Sequence, residues 1–147
     1  MIELTPSQKG AAAEAAITAA VISQGLTVLR PLCEGRRYDL VIDLEPALLR
    51  VQCKMARCVR GVLAIRLETC RYTPNGYVRT HYSTAEIDAI GAFSPELGRC
   101  YLLPMSAIKG RRSLHLRLQP TGNKQAERIN WAREHELEPV LERLRAG

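Results

Sequence analysis

Y-D-L-V-I-D-L-E-P-A-L-L-R-V-Q-C-K, residues 38–54, predicts a short β-hairpin with its turn at Glu45-Pro46. Side chains of a strand alternate between two faces, so Gln52 and Lys54 share one face of the returning strand. With the turn at this position, Asp39 falls opposite Gln52. The hairpin then gathers an acid, an amide and an ammonium, a grouping that suits metal-assisted cleavage of a phosphodiester.

A helix precedes this hairpin. Thr5-Pro6-Ser7-Gln8 has the pattern of a capping box, and the alanine-rich run 7–24 that follows has high helix propensity. Gly25 is typical of the left-handed residue that ends a helix. Glu14 lies on the same helical stripe as apolar residues, so its carboxylate is expected on the side that faces the sheet.

Further strands are indicated by short aliphatic or alternating runs between turn residues. A polar and aromatic stretch, 71–84, contains a turn at Pro74-Asn75-Gly76. The charged stretch from about residue 125 to residue 145 predicts a helix with a break near 135–139. Including the two hairpin strands, the predicted strands are 26–32, 38–44, 48–55, 61–69, 87–93, 99–104 and 113–118.

This order of elements predicts an α/β or α+β fold, with a mixed sheet flanked by helices. A chain of 147 residues fits one domain, 1–147, and shows neither an internal repeat nor a long linker. No apolar run approaches about 18 uncharged residues, so no membrane partner is expected. The start of the chain lacks the pattern of a signal peptide.

The charge balance favours a polyanionic partner. The net charge is +6, and 17 of the 21 basic residues are arginine, whose planar fork binds phosphate bidentately. A GC-rich genome would also favour arginine. The charge alone therefore does not decide between a nucleic-acid partner and genome composition as the reason for the many arginines. The five cysteines are irregularly spaced without a C-x-x-C, which indicates reduced thiols and a cytoplasmic protein.

Four residues can assemble the chemistry of phosphodiester hydrolysis. Mg2+ needs only one or two carboxylates because it retains several waters, so Asp39 is the natural first ligand and Glu14 the second. Gln52 can offer its carbonyl oxygen to the metal or hold a water. Lys54 can position the attacking water and stabilise negative charge in the transition state.

These residues carry a resemblance to a known family. The patterns K-G-A-A-A-E, G-L-T-V-L-R-P-L, Y-D-L and V-Q-C-K resemble the PD-(D/E)XK nuclease superfamily. More narrowly they are similar to bacterial group I intron homing endonucleases of that fold, with Holliday junction resolvases as more distant relatives. The segments Y-S-T-A-E-I-D-A-I-G-A-F, R-C-Y-L-L-P and N-K-Q-A-E-R-I-N-W-A extend the resemblance over nearly the whole chain.

The resemblance implies a restriction-endonuclease-like mixed β-sheet with the N-terminal helix first. It also implies Mg2+, with Mn2+ as a substitute, and catalytic positions at Glu14, Asp39, Gln52 and Lys54. Gln52 departs from most of the superfamily, which carries Asp or Glu there, although members that resemble this chain carry glutamine. Tyr38 stands where proline is the family pattern.

Other polar residues are weaker candidates. Asp88, at the start of a predicted strand, belongs to the signature in similar proteins and is a secondary site candidate, with a structural role at least as favoured. Asp43 is expected to be solvated near the hairpin turn. Arg50 shares the face of Gln52 and Lys54, where it can contact phosphate or pair with Asp43. The predicted DNA contacts, all basic residues in or near loops, are Arg36, Arg37, Arg50, Arg57, Arg60, Arg71, Arg79, Lys109, Arg111 and Arg112.

The leading hypothesis is a Mg2+-dependent endonuclease of double-stranded DNA, homing-endonuclease-like and associated with the nucleoid when bound. A double-strand break needs two such sites, so a homodimer or homotetramer is expected. One alternative is a structure-selective nuclease that recognises branched DNA. The other is a DNA-binding protein on a nuclease fold whose catalysis has lapsed, which Gln52 permits.

Overall fold

A computed structural model describes residues 2–108, 110–120, 122–123 and 129–147, with the side chains of residues 69–72 and 79 outside the description. The first helix, α1, spans Pro6–Ser23. The predicted capping box is confirmed: the Gln8 N–H donates to Thr5 Oγ1 at 3.2 Å, and the Thr5 N–H donates to Gln8 Oε1 at 2.9 Å. Gly25 adopts a φ of 80°, so the predicted end of the helix is also confirmed.

The central sheet has five strands, which lie in the order β1 (Thr27–Leu29), β2 (Leu40–Asp43), β3 (Leu48–Met55), β8 (Ala89–Ser94) and β9 (Arg99–Pro104). The strands β3 and β8 run parallel and the other neighbours antiparallel, which confirms the predicted mixed sheet.

The β2–β3 hairpin has the register that the sequence predicts. Leu40 pairs with Val51, so Asp39, one residue before β2, lies opposite Gln52. The Asp39 N–H extends the ladder by donating to the Val51 carbonyl at 2.9 Å. At the other end, the Leu44 N–H donates to the Ala47 carbonyl at 2.8 Å and closes the turn.

Two smaller sheets lie beside the central one. The first has the order β10-β5-β4, with β4 at Arg57–Val59, β5 at Val62–Arg66 and β10 at Ser113–Arg117. The second is a hairpin of β6, Glu68–Thr73, and β7, Gly76–His81. The prediction of one strand over 61–69 was wrong, because the chain leaves the β5 sheet at Leu67. The stretch 71–84 forms strands that the sequence did not indicate, although its turn is confirmed.

The buried side chains form two clusters, one on each face of the central sheet. In β9, Leu102 packs into one cluster while Tyr101 and Leu103 pack into the other, as alternation requires. The first face is covered by α1, whose Ile17 approaches β8 closely at Gly91. A Cβ at Gly91 would lie 3.1 Å from Ile17 Cδ1, so glycine is needed for this approach. This contact fixes the depth at which α1 lies over the sheet.

Within the described residues 129–147, the C-terminal part is less helical than predicted, and residues 125–128 of the predicted helix lie outside the described residues. A 3-10 helix spans Ala132–His135, and α3 spans Leu137–Ala146, with the break at Glu136 inside the predicted range. Trp131 is not on a helix, because it forms an isolated bridge with Arg117 of β10. A further short helix, α2 at Met105–Ile108, was not predicted. Within the described part of the chain, no helix has the length and apolar character needed to cross a membrane.

Candidate active site

Asp39 lies where the hairpin enters the central sheet, just before β2. Its Oδ2 accepts a 2.8 Å hydrogen bond from the Cys53 backbone N–H on β3. Burial raises the pKa of Asp39, while that hydrogen bond and the charges of Lys54 and Arg30 lower it in part. The net effect is a raised pKa of Asp39, so the folded protein disfavours the charged form of this carboxylate.

Glu14 meets Asp39 from a different element. Helix α1 packs on the face of β3 that carries Val51 and Cys53, and Glu14 and Asp39 together line a cavity of about 470 Å3 beside the loop 30–36. Burial raises the pKa of Glu14, the negative charge of Asp39 raises it further, and Arg30 lowers it. The structure therefore brings the two predicted carboxylates together, close enough to repel each other.

Lys54 lies on the opposite face of β3 from Cys53, two residues beyond Gln52. It is half-buried, and burial lowers the pKa of its ammonium, an effect opposed by Asp39 and increased by Arg66 and Arg37. Its Nζ lies 5.2 Å from the centroid of the Tyr82 ring. Lys54 thus joins the site through its charge interaction with Asp39.

Gln52 is half-buried on β3, where it pairs with Ile90 of the parallel neighbour β8. By alternation it shares the face of Lys54, and by register it faces Asp39. The predicted grouping of an acid, an amide and an ammonium on the hairpin is present.

Arg30 belongs to the site although sequence reasoning did not name it. It lies just after β1, its Nη1 is 3.7 Å from Glu14 Oε1, and its Nη2 donates to Thr18 Oγ1 at 3.3 Å. It also lines the cavity with both carboxylates. The only sequence signal was its place in G-L-T-V-L-R-P-L, ahead of the hairpin.

Asp88 and Arg50 form an ion pair, in which the Arg50 Nε donates to Asp88 Oδ2 at 3.0 Å. Bonds from Arg50 hold the pKa of Asp88 below its usual range. The suggested pairing of Arg50 with Asp43 was wrong, because Asp43 lies opposite Leu48 at the turn and accepts the Glu45 N–H at 2.9 Å. The structural role considered for Asp88 is therefore present.

The other predicted DNA-contacting residues differ in their surroundings. Arg36 is exposed at the rim of the carboxylate cavity. Arg37 is half-buried, with its Nε 3.5 Å from Glu86 Oε2 and its guanidinium carbon 4.7 Å from the centroid of the Tyr82 ring. Lys109 and the side chains of Arg71 and Arg79 lie outside the described residues. The remaining predicted DNA contacts are all exposed: Arg57, Arg60, Arg111 and Arg112.

The thiols and imidazoles offer little to this site. Cys53 is buried, and burial raises the pKa of its thiol. The cysteines with described side chains, Cys33, Cys53, Cys58 and Cys100, are free. Within the described residues, no three or more His, Cys, Asp or Glu side chains form a group that could hold a metal.

The donors around Asp39 nevertheless suit a hard divalent cation. Two carboxylates share one cavity, and the half-buried amide of Gln52 lies across the hairpin from Asp39. Mg2+ prefers oxygen ligands and retains several waters, so a site with two carboxylates is sufficient. Burial raises the pKa of Glu14 and the negative charge of Asp39 raises it further, so a cation bound between the two carboxylates would favour their ionised forms.

Comparison with known proteins gives a matching family and solved structures of similar fold. A sequence model described as PD-(D/E)XK endonuclease matches residues 4–138. A solved structure, that of the bacterial homing endonuclease I-Ssp6803I, aligns with a TM-score of 0.77 and 26% identity over 97% of each chain. No curated protein matches the chain at a significant level.

Proposed function

Because the chain belongs to the PD-(D/E)XK endonuclease family, we propose that it hydrolyses phosphodiester bonds of duplex DNA in the manner of a homing endonuclease. Mg2+ is the proposed cofactor, with Mn2+ as a substitute. The observation that carries the proposal is the shared cavity of Glu14 and Asp39, with the Lys54 ammonium near enough for the negative charge of Asp39 to raise its pKa.

Glu14, Asp39 and the carbonyl oxygen of Gln52 would hold the metal ion. When bound, a divalent ion supplies Lewis-acid polarisation of the phosphate and lowers the pKa of a bound water. The Cys53 N–H, at 2.8 Å from Asp39 Oδ2, fixes the orientation of that carboxylate. Its other oxygen, Oδ1, can then face the cavity.

Lys54 supplies a positive charge that interacts with Asp39. Its ammonium is half-buried, and an electrostatic interaction is stronger in such surroundings than in water. Negative charge develops on the phosphate during hydrolysis, so a preorganised ammonium stabilises the transition state more than the ground state. Lys54 can also orient the attacking water through one of its three N–H donors.

The DNA would be held mainly through its phosphates. The chain carries a net charge of +6, and exposed arginines lie at the cavity rim and on other loops. Such contacts neutralise phosphates and set register, and they make binding fall steeply with salt. Cutting both strands requires two sites, which is consistent with a homodimer or homotetramer.

The direct test is nicking of supercoiled plasmid by the purified protein with Mg2+ or Mn2+. Asp39→Ala and Lys54→Ala are expected to lower the rate at least 100-fold while DNA binding stays within a few-fold. Asp43→Ala is the matched control, since Asp43 is a carboxylate of the same hairpin at its far end. Wild-type nicking by either site variant would exclude this site.

The same assay separates the alternatives. Retained DNA binding without nicking under any divalent metal would favour a lapsed nuclease, as Gln52 permits. Preference for a four-way junction over a linear duplex would favour a structure-selective enzyme. Cleavage of linear duplex at discrete positions would support the proposed function of a homing-endonuclease-like enzyme.

A further inference from the structure

The Tyr82 ring joins the proposed site to the loop after β7. Its centroid lies 5.2 Å from Lys54 Nζ and 4.7 Å from the Arg37 guanidinium carbon. Both distances are within the range of about 6 Å in which a cation is attracted to the negative face of an aromatic ring. Tyr82 is only 8% exposed, so the ring is held by packing in the core cluster that also contains Ala56 and Ile90.

An aromatic ring is well suited to hold an ammonium that must act on a phosphate. A carboxylate that held Lys54 would neutralise its charge and occupy its N–H donors. A ring attracts the charge without removing it, and it leaves the three donors of the ammonium free for a phosphate or a water. Lys54 has a flexible four-carbon stem, so restricting it beforehand lowers the entropic cost of reaching its working position.

The backbone that carries Tyr82 is fastened to the strand that carries Lys54. Arg50 of β3 donates through Nη2 to the Thr84 carbonyl at 2.9 Å and through Nη1 to the Ala85 carbonyl at 2.8 Å. The same guanidinium pairs with Asp88. These bonds hold the segment 82–88 against β3, which favours a constant distance between the ring and the ammonium.

The ring, and not the hydroxyl, is the useful part of Tyr82. The hydroxyl oxygen is buried and has no hydrogen-bond partner among the residues that the structure describes. A buried hydroxyl without a partner is unfavourable. Phenylalanine would therefore serve the same purpose, whereas an aliphatic residue would not.

We propose that Tyr82 is a positioning residue for phosphodiester cleavage, which holds the Lys54 ammonium beside Asp39 with its ring and leaves its donors free. This inference rests on the proposed nuclease function. Arg50 and Asp88 act one step further away, by holding the segment that bears the ring.

The contact between the Tyr82 ring and the Lys54 ammonium can be tested without a cleavage assay. The chain has four lysines, so protein labelled with 13C at lysine Cε gives few signals, and Lys54→Arg identifies that of Lys54. The ring current of Tyr82 is expected to shift the Lys54 methylene signal upfield in the wild type and in Tyr82→Phe. Tyr82→Leu should abolish this shift. An unchanged Lys54 signal in folded Tyr82→Leu would overturn the contact, whatever the fate of the nuclease proposal.

The consequence for catalysis is tested by single-turnover nicking at saturating protein. Tyr82→Leu is expected to be about tenfold slower with DNA affinity within about twofold, and Tyr82→Phe is expected to recover most of the rate. Tyr101→Leu is the matched control, because Tyr101 is fully buried in the same cluster and shows no ring contact with Lys54. An equal rate loss in Tyr101→Leu would overturn the positioning role and leave only packing.

If Tyr82→Leu folds poorly, fluorinated phenylalanine at position 82 provides a second test of the positioning role. Phenylalanine and its trifluorinated analogue have nearly the same shape at position 82, but fluorine weakens the negative face of the ring. The rate is expected to fall severalfold with fluorination while the folded state persists. Equal rates for the two rings would overturn the proposal. If the wild type shows no nicking at all, the nuclease proposal fails, and the lysine signal still decides the contact.

Discussion

The Arg50 guanidinium meets the Asp88 carboxylate at two points, Nε to Oδ2 at 3.0 Å and Nη2 to Oδ1 at 3.1 Å. The Arg50 backbone N–H adds a third bond of 2.8 Å to the same Oδ2. Both side chains are 31% exposed, so the pair is partly shielded from water. It ties the start of β8 to the middle of β3, two residues before Gln52.

Asp88→Ala is expected to lower the free energy of unfolding by about 1–2 kcal/mol, because it removes charge-assisted hydrogen bonds that are partly shielded. Urea unfolding measures this. Asp43→Ala is the control, since that carboxylate accepts a single backbone bond at an exposed turn. A double-mutant cycle with Arg50→Met isolates the coupling energy between the two side chains. A loss of stability no larger than that of Asp43→Ala would refute the stabilising role of the Arg50–Asp88 pair.

The Arg50–Asp88 pair also makes part of the free energy of unfolding depend on pH in the acid range. Bonds from Arg50 hold the pKa of Asp88 below its ordinary value of 3.8. A carboxylate with a depressed folded pKa contributes stability that is fully present above 3.8 and is lost as pH falls through the folded pKa. The stability difference between the wild type and Asp88→Asn should be constant at neutral pH and shrink below 3.8. A difference that grows with acid would contradict this sign.

Glu14→Gln and Asp39→Asn are expected to stabilise the metal-free protein. Burial raises the pKa of both carboxyls, and Asp39 raises that of Glu14 further, so each charge disfavours folding at neutral pH. An Asn at position 39 can still accept the Cys53 N–H. We expect the melting temperature to rise by a few degrees in each variant. Glu34 is an exposed carboxylate of the same cavity, so Glu34→Gln is the control and should leave the melting temperature unchanged. A lower melting temperature in both site variants would contradict the prediction.

The local parts of this molecule were predictable from local signals. Alternation on either side of Glu45-Pro46 set the hairpin register that places Asp39 opposite Gln52, and the capping box set the start of α1. The position of Glu14 followed from helical periodicity. These features depend on neighbours within a few residues, where the physical constraints are strongest.

The parts that were missed depend on distant segments. Arg50 and Asp88 are 38 residues apart, and they meet only because β3 and β8 pair in parallel. Arg30 meets Glu14 only because a short strand ends beside α1. The β6–β7 hairpin lacks the aliphatic alternation that marks a buried strand, so only its turn was visible in the sequence.

Gln52→Glu tests whether the amide acts only through its oxygen. A carboxylate at this position faces Asp39 across the hairpin, adds negative charge to the site and offers a stronger ligand to a divalent cation. We expect nicking to survive and the Mn2+ concentration for half-maximal rate to fall about tenfold, since one added charge is worth roughly 1.4 kcal/mol at a partly exposed site. Gln52→Ala should move this concentration in the opposite direction. Loss of nicking in Gln52→Glu, with metal binding intact by calorimetry, would mean that the amide N–H group is needed. Gln52 would then hold a water or a phosphate oxygen and would no longer be counted as a metal ligand.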